Sequence, residues 1–160
     1  MIEHYVIRTI KDKVIVIDGS VEDGKVGAMN FGENKWLIQP VYEFIDYFQN
    51  ECVFMCIDES GVSFFNYNGE KLNEYSYDVA YGFMFGVCAV EKDGMLNVIN
   101  KYGKLLLDEW CASVSYPIIE EMNGQTHYVL SISYDVSDGE YSKFIKYIVE
   151  NDMLVEVNYH

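Results

Sequence analysis

Basic residues are scarce in this sequence. Eleven Lys and Arg stand against 26 Asp and Glu, a formal net charge of −15 at pH 7. The shortage is uneven, with no Lys or Arg between Lys35 and Lys71 or between Lys104 and Lys143. A surface of that sign repels phosphate backbones, which argues against direct nucleic-acid binding, and attracts basic proteins or cations. Prolines number two, and no apolar run approaches the ~18–20 residues that span a bilayer. Half the residues are nonetheless hydrophobic, so neither a disordered chain nor a membrane one is expected. Cysteines are few (52, 56, 88 and 111) and sit in apolar runs such as Cys52-Val-Phe-Met-Cys56, as reduced, buried thiols do. The opening Met1-Ile-Glu-His-Tyr-Val-Ile-Arg-Thr-Ile10 lacks the basic flank and apolar stretch of a signal peptide, so a cytoplasmic location is expected.

What is present is a period of two. Tyr5–Ile10 and Lys13–Asp18 are β-branched runs joined at Lys11-Asp12, a hairpin by composition. Strands follow over 25–30, 35–38, 52–58, 62–67, 86–92 and 96–100, each closed by Gly, Asn or Asp. Thr126–Tyr134, Tyr141–Val149 and Met153–Tyr159 read as three consecutive antiparallel strands. The expectation is one all-β domain of 160 residues: an N-terminal hairpin (1–22), a repeat segment (23–115) and a C-terminal antiparallel three-stranded unit (116–160). One segment disputes the period. Val41, Phe44, Ile45 and Phe48 fall at i, i+3, i+4 and i+7, which leaves room for at most one short helix near 41–48.

The repeat segment is self-similar. Asp93-Gly94 with Asn100 seven residues after the Asp is echoed by Asp23-Gly24 and Asn30, and more loosely by Glu59-Ser60-Gly61 and Asn66. The spacing of about 35 residues is typical of repeat architectures. With Val26-Gly27, Asn100-Lys-Tyr-Gly103-Lys104, Gln39-Pro40-Val-Tyr42-Glu43, Tyr77-Asp78-Val79 and Phe85-Gly86-Val-Cys-Ala-Val90, the segment resembles the WG-repeat family of bacterial β-rich proteins. The resemblance covers roughly 23–115 and departs from the pattern in having no Trp-Gly dipeptide, in Glu33 at a turn-Gly position, and in a third copy without a Tyr-Asp pair. It implies about three repeats in an antiparallel meander, a bacterial or phage origin, and a binding or scaffolding role with no catalytic residues to carry over.

Candidate chemistry is thin. Gly19-Ser-Val-Glu-Asp-Gly24-Lys25-Val26 has the G-x-x-x-x-G-K spacing, but Val26 stands where the Mg²⁺-binding hydroxyl belongs. Cys52 and Cys56, on one strand, would lie ~13 Å apart, too far to share a metal. His4, His127 and His160 have no ligand spacing, so neither a metal nor a cofactor is expected. The doublets Asp108-Glu109 and Glu120-Glu121 put one carboxylate on each face of a strand, unlike a hydrolase pair.

Fourteen tyrosines accompany the acids, and tyrosine with carboxylate suits a protein partner bearing basic side chains. The expected function is therefore a non-catalytic, acidic protein-binding module. Its sharpest form is an inhibitor of the immunity or anti-defence type that occupies a basic, nucleic-acid-binding surface. The expected contact residues are Asp108, Glu109, Glu120, Glu121, Tyr128, Tyr134, Asp135, Asp138 and Glu140. A self-assembling β-repeat scaffold and a carboxylate-dependent hydrolase are the alternatives.

Overall fold

A computed structural model describes residues 5–11, 14–18, 24–30, 32–134 and 143–157. The described chain is all-β, with fifteen strands in antiparallel sheets. It divides into two compact units, Met1–Ser76 and Tyr77–His160. That boundary falls inside the expected repeat segment rather than at either of its ends.

In the first unit, β1 (Tyr5–Ile10), β2 (Val14–Asp18), β3 (Val26–Asn30) and β4 (Lys35–Tyr42) form a four-stranded sheet in sequence order. The β1–β2 pair is the hairpin expected from composition. A three-stranded meander follows: β5 (Phe44–Phe48), β6 (Val53–Asp58) and β7 (Gly61–Asn66). Ile10, Val26, Ala28, Ile38, Tyr42, Tyr47, Phe54 and Cys56, drawn from both sheets, form the core of this unit. Gly27 is required there, since a Cβ would stand 2.6 Å from the Ile38 carbonyl oxygen and 2.7 Å from the Pro40 nitrogen.

Residues 41–48 contain no helix. β5 pairs along its whole length with β6, Phe44 opposite Ile57 through Phe48 opposite Val53. The helix-like spacing arises at Glu43, a bend whose N–H donates to the Ile57 carbonyl at 2.8 Å. The bend resets the alternation, so Tyr42 before it and Tyr47 after it are both buried, while Val41 and Phe44 are exposed. Cys52 is also not on a strand with Cys56. It sits in the β5–β6 turn at φ 58°, one residue before β6 begins.

The second unit opens with another meander, β8 (Val79–Met84), β9 (Val87–Lys92) and β10 (Met95–Asn100). Asp93 and Gly94, both at positive φ, make the two-residue turn between β9 and β10. The C-terminal sheet holds β11 (Ser113–Val114), β12 (Ile118–Met122), β13 (Gln125–Tyr134), β14 (Lys143–Glu150) and β15 (Met153–Glu156). β13, β14 and β15 are the three antiparallel strands the sequence announces. β11 and β12 extend them to five by pairing along the other side of β13. Val87, Val98, Leu107, Cys111, Leu130 and Ile132 form the core of this unit.

The echo in the sequence is an echo in hydrogen bonding. At Asn66 the side-chain oxygen accepts from Asn68 N (3.0 Å) and Glu70 N (2.9 Å), and the carbonyl accepts from Gly69 N (3.0 Å). At Asn100 the side-chain oxygen accepts from Tyr102 N (3.0 Å) and Lys104 N (3.1 Å), and the carbonyl from Gly103 N (3.0 Å). The Asn30 copy differs. Its side-chain oxygen accepts from Glu33 N at 3.4 Å, Asn34 takes the positive φ, and the chain then runs into the eight-residue β4.

Candidate acidic and tyrosine-lined interface

The doublet Asp108-Glu109 is held out from the second unit by anchors on both sides. Before it, buried Leu107 is bound through its backbone to the side chain of Asn97. After it, Cys111 exchanges two backbone hydrogen bonds with Leu96, at 2.7 and 2.9 Å. With 107 and 111 tied down, Asp108 and Glu109 occupy the bend between them and are exposed. Among the described residues no Lys, Arg or His side chain comes within ion-pairing distance of either carboxylate.

Two half-buried tyrosines lie within electrostatic reach. The Tyr134 and Tyr147 side chains pack against the same core and bear on one another's proton affinity. Burial is the main reason that both phenols hold their protons more tightly than usual. Glu109 adds to this at Tyr134, and Glu156 and Asp108 add to it at Tyr147. Glu156 is brought in by register, directly opposite Tyr147 on the β14–β15 ladder. The result is a neutral hydroxyl pair under the influence of three carboxylates contributed by the 108–109 bend and β15. Such an arrangement can accept the ammonium or guanidinium of a Lys or Arg side chain, by charge and by aromatic contact.

Of the nine residues expected from sequence, this cluster assembles Asp108, Glu109 and Tyr134. The others go elsewhere or are not described. Glu120 on β12 is neutralised by Lys146 on β14, whose Nζ lies 3.0 and 3.1 Å from its two carboxylate oxygens. Lys146 and Tyr147 are neighbours on one strand and face opposite ways, so that ion pair occupies the other face of the sheet. Glu121 is exposed, opposite Thr126. Tyr128 stacks on Phe85, with ring centroids 4.0 Å apart and planes 12° from parallel. Asp135, Asp138 and Glu140 lie outside the described residues, as does most of the Gly19–Gly24 loop. Tyr147 and Glu156 are the members that sequence reasoning missed. Their alternation was visible, but pairing Glu156 with Tyr147 needs the strand register.

No group of three or more His, Cys, Asp or Glu side chains among the described residues is arranged to hold a metal ion. His127 is half-buried on β13, opposite Glu120. Among the described residues no helix is long and apolar enough to cross a membrane.

Fold and site together define an all-β protein with two matching meander-and-turn units and an acidic, tyrosine-lined surface. A scan against models of known protein families and a search of curated proteins each find no match.

Proposed function

We propose that this chain is a non-catalytic protein-binding module whose Asp108–Glu109–Tyr134–Tyr147–Glu156 cluster receives basic side chains of a partner protein. The observation that carries this reading is the exposed carboxylate doublet, without an ion pair among the described residues, close to a neutral tyrosine pair and in a stretch without Lys or Arg from 105 to 142. Carboxylates presented this way substitute for phosphates at a nucleic-acid-binding surface, which supports an inhibitor of the immunity or anti-defence type acting by steric block in the cytoplasm. Long-range attraction speeds encounter at low salt, and the partner's cations then settle on the cluster. The matched Asn66 and Asn100 turns support kinship with the WG-repeat family and its binding and scaffolding role.

The test is a partner recovered at low salt from the native host and then purified. Asp108→Asn, Glu109→Gln and Glu156→Gln together should weaken its binding and flatten the salt dependence. Glu120→Gln, whose charge Lys146 already offsets, should change neither. Nucleic acid and this chain should also compete for the partner. Equal effects from the two sets of substitutions would remove the cluster from the interface, and simultaneous binding of nucleic acid would remove the inhibitor reading.

A further inference from the structure

The second unit contains a cavity of about 290 Å³ that the acidic surface does not use. Its walls are apolar: Val87, Ala89, Leu96, Val98, Val114 and Leu130. No charged side chain lines it. Two features hold it open. On one side β8 carries a β-bulge. Ala80 pairs with Val90 and Phe83 with Cys88, so Tyr81 and Gly82 together face the single residue Ala89. Gly82 supplies the positive φ, 88°, that the extra residue needs. On the other side the 113–117 segment is fastened to β13. The Ser113 and Ser133 hydroxyls bond to each other, and Ser115 Oγ accepts from Ser131 N at 2.9 Å.

It is open to solvent on one side, so it is an apolar surface pocket rather than a sealed void. Close packing of neighbouring side chains ordinarily fills such a recess with dispersion contacts. Here the bulge at 81–82 and the serine fastenings at 113 and 115 maintain it, and bulges are over-represented beside binding sites. Ser113 and Ser115 are held against β13, and further hydroxyls stand at the rim. Tyr81 and Tyr116 stand there, 50% and 70% exposed, with the Tyr81 hydroxyl fixed by Glu91 at 3.2 Å.

We infer that this cavity is a binding site for a compact, uncharged, mainly apolar molecule bearing one hydrogen-bonding group at the Tyr81–Tyr116 rim. Scaled from the ~150 Å³ cavity that holds benzene, it accommodates roughly a dozen non-hydrogen atoms, the size of a fused two-ring aromatic. The charge preference follows from the site. The walls offer nothing to a buried carboxylate, Glu91 stands at the rim, and the whole chain is acidic, so an anion of the same shape is disfavoured.

The experiment uses the full chain and two probes of one shape, 2-naphthol (neutral at pH 7) and 2-naphthoate (anionic), titrated by calorimetry and by NMR shifts. Saturable 2-naphthol binding is expected, with shifts at Ala89, Val98 and Leu130 and at least tenfold weaker binding of 2-naphthoate. Ala89→Leu fills the cavity and should reduce 2-naphthol affinity tenfold or more, with a thermal midpoint equal to or above that of the parent. Should Ala89→Leu fail to fold, Val114→Phe narrows the same space from the opposite wall and is read in the same way. Absence of saturable 2-naphthol binding at millimolar concentration overturns the inference, as does undiminished affinity in a folded cavity-filling variant. Equal affinity for the two probes overturns the charge preference.

Discussion

Asn97 closes both backbone groups of Leu107: its Nδ2 donates to the Leu107 carbonyl at 3.1 Å, and its Oδ1 accepts the Leu107 N–H at 3.2 Å. In the first unit the same job is done from the other partner. Asn73, 34 positions before Leu107, accepts from Phe64 N at 2.8 Å and donates to the Val62 carbonyl at 3.3 Å. A buried amide thus joins each meander to the segment after its Asn-x-x-Gly turn, from the strand in one copy and from the segment in the other.

Asn97→Ala leaves the Leu107 N–H and carbonyl buried without that partner. A loss of about 2–3 kcal/mol is expected, the cost of orphaning buried polar groups. Asn97→Asp should be worse, since it removes the donor and buries a charge. Urea unfolding followed by Trp110 fluorescence, with Trp36 replaced by Phe, reads the second unit.

Three glycines separate backbone strain from steric clash. Gly94 has φ 80° and open space around a would-be Cβ, so Gly94→Ala should cost only the left-handed penalty of roughly 1–2 kcal/mol. Gly27→Ala meets backbone atoms at 2.6 to 2.8 Å without a positive φ. At Gly69 both apply, since φ is 82° and the Leu37 carbonyl oxygen lies 2.6 Å away. Gly69→Ala should therefore be the most destabilising of the three in thermal unfolding.

The four thiols should react in two classes. Burial pushes the Cys111 thiol up to about 11 and raises Cys56 further, while Cys88 is 1% exposed. Cys52 is half-exposed, with the Lys11 ammonium 3.6 Å from its sulfur. An aromatic disulfide reagent at pH 8 should modify one thiol per native chain rapidly. Cys52→Ala should abolish that phase.

Alkaline pH should loosen the fold before it titrates all its tyrosines. Burial raises Tyr42, Tyr47, Tyr134 and Tyr147 above 10.0. Below that value folded and unfolded chains are equally protonated at these groups and their full contribution is present. Above it the unfolded chain releases protons that the folded chain retains, so stability falls as pH rises. Tyrosinate absorbance at 295 nm should show a late fraction that becomes prompt in urea, and Tyr134→Phe with Tyr147→Phe should shrink it.

The sequence by itself determined the strands and the turns that join them. Alternation of β-branched and polar residues, Asp93-Gly94, and the Asn66 and Asn100 turns act over a few bonds of backbone, so they are legible without knowing what lies across the sheet. The tertiary structure decided which residues meet. The bend at Glu43 shifted the phase of an alternating run until it imitated a helix, and pairing with β6 kept it extended. Register on β13, β14 and β15 set Glu156 against Tyr147, while the pairing of β12 and β14 with β13 let Lys146 reach Glu120, splitting one expected surface into two faces. A strand repeats every two residues, so its sequence shows which side chains share a face. The choice of partner on the neighbouring strand is a property of packing, fixed only when the core closes.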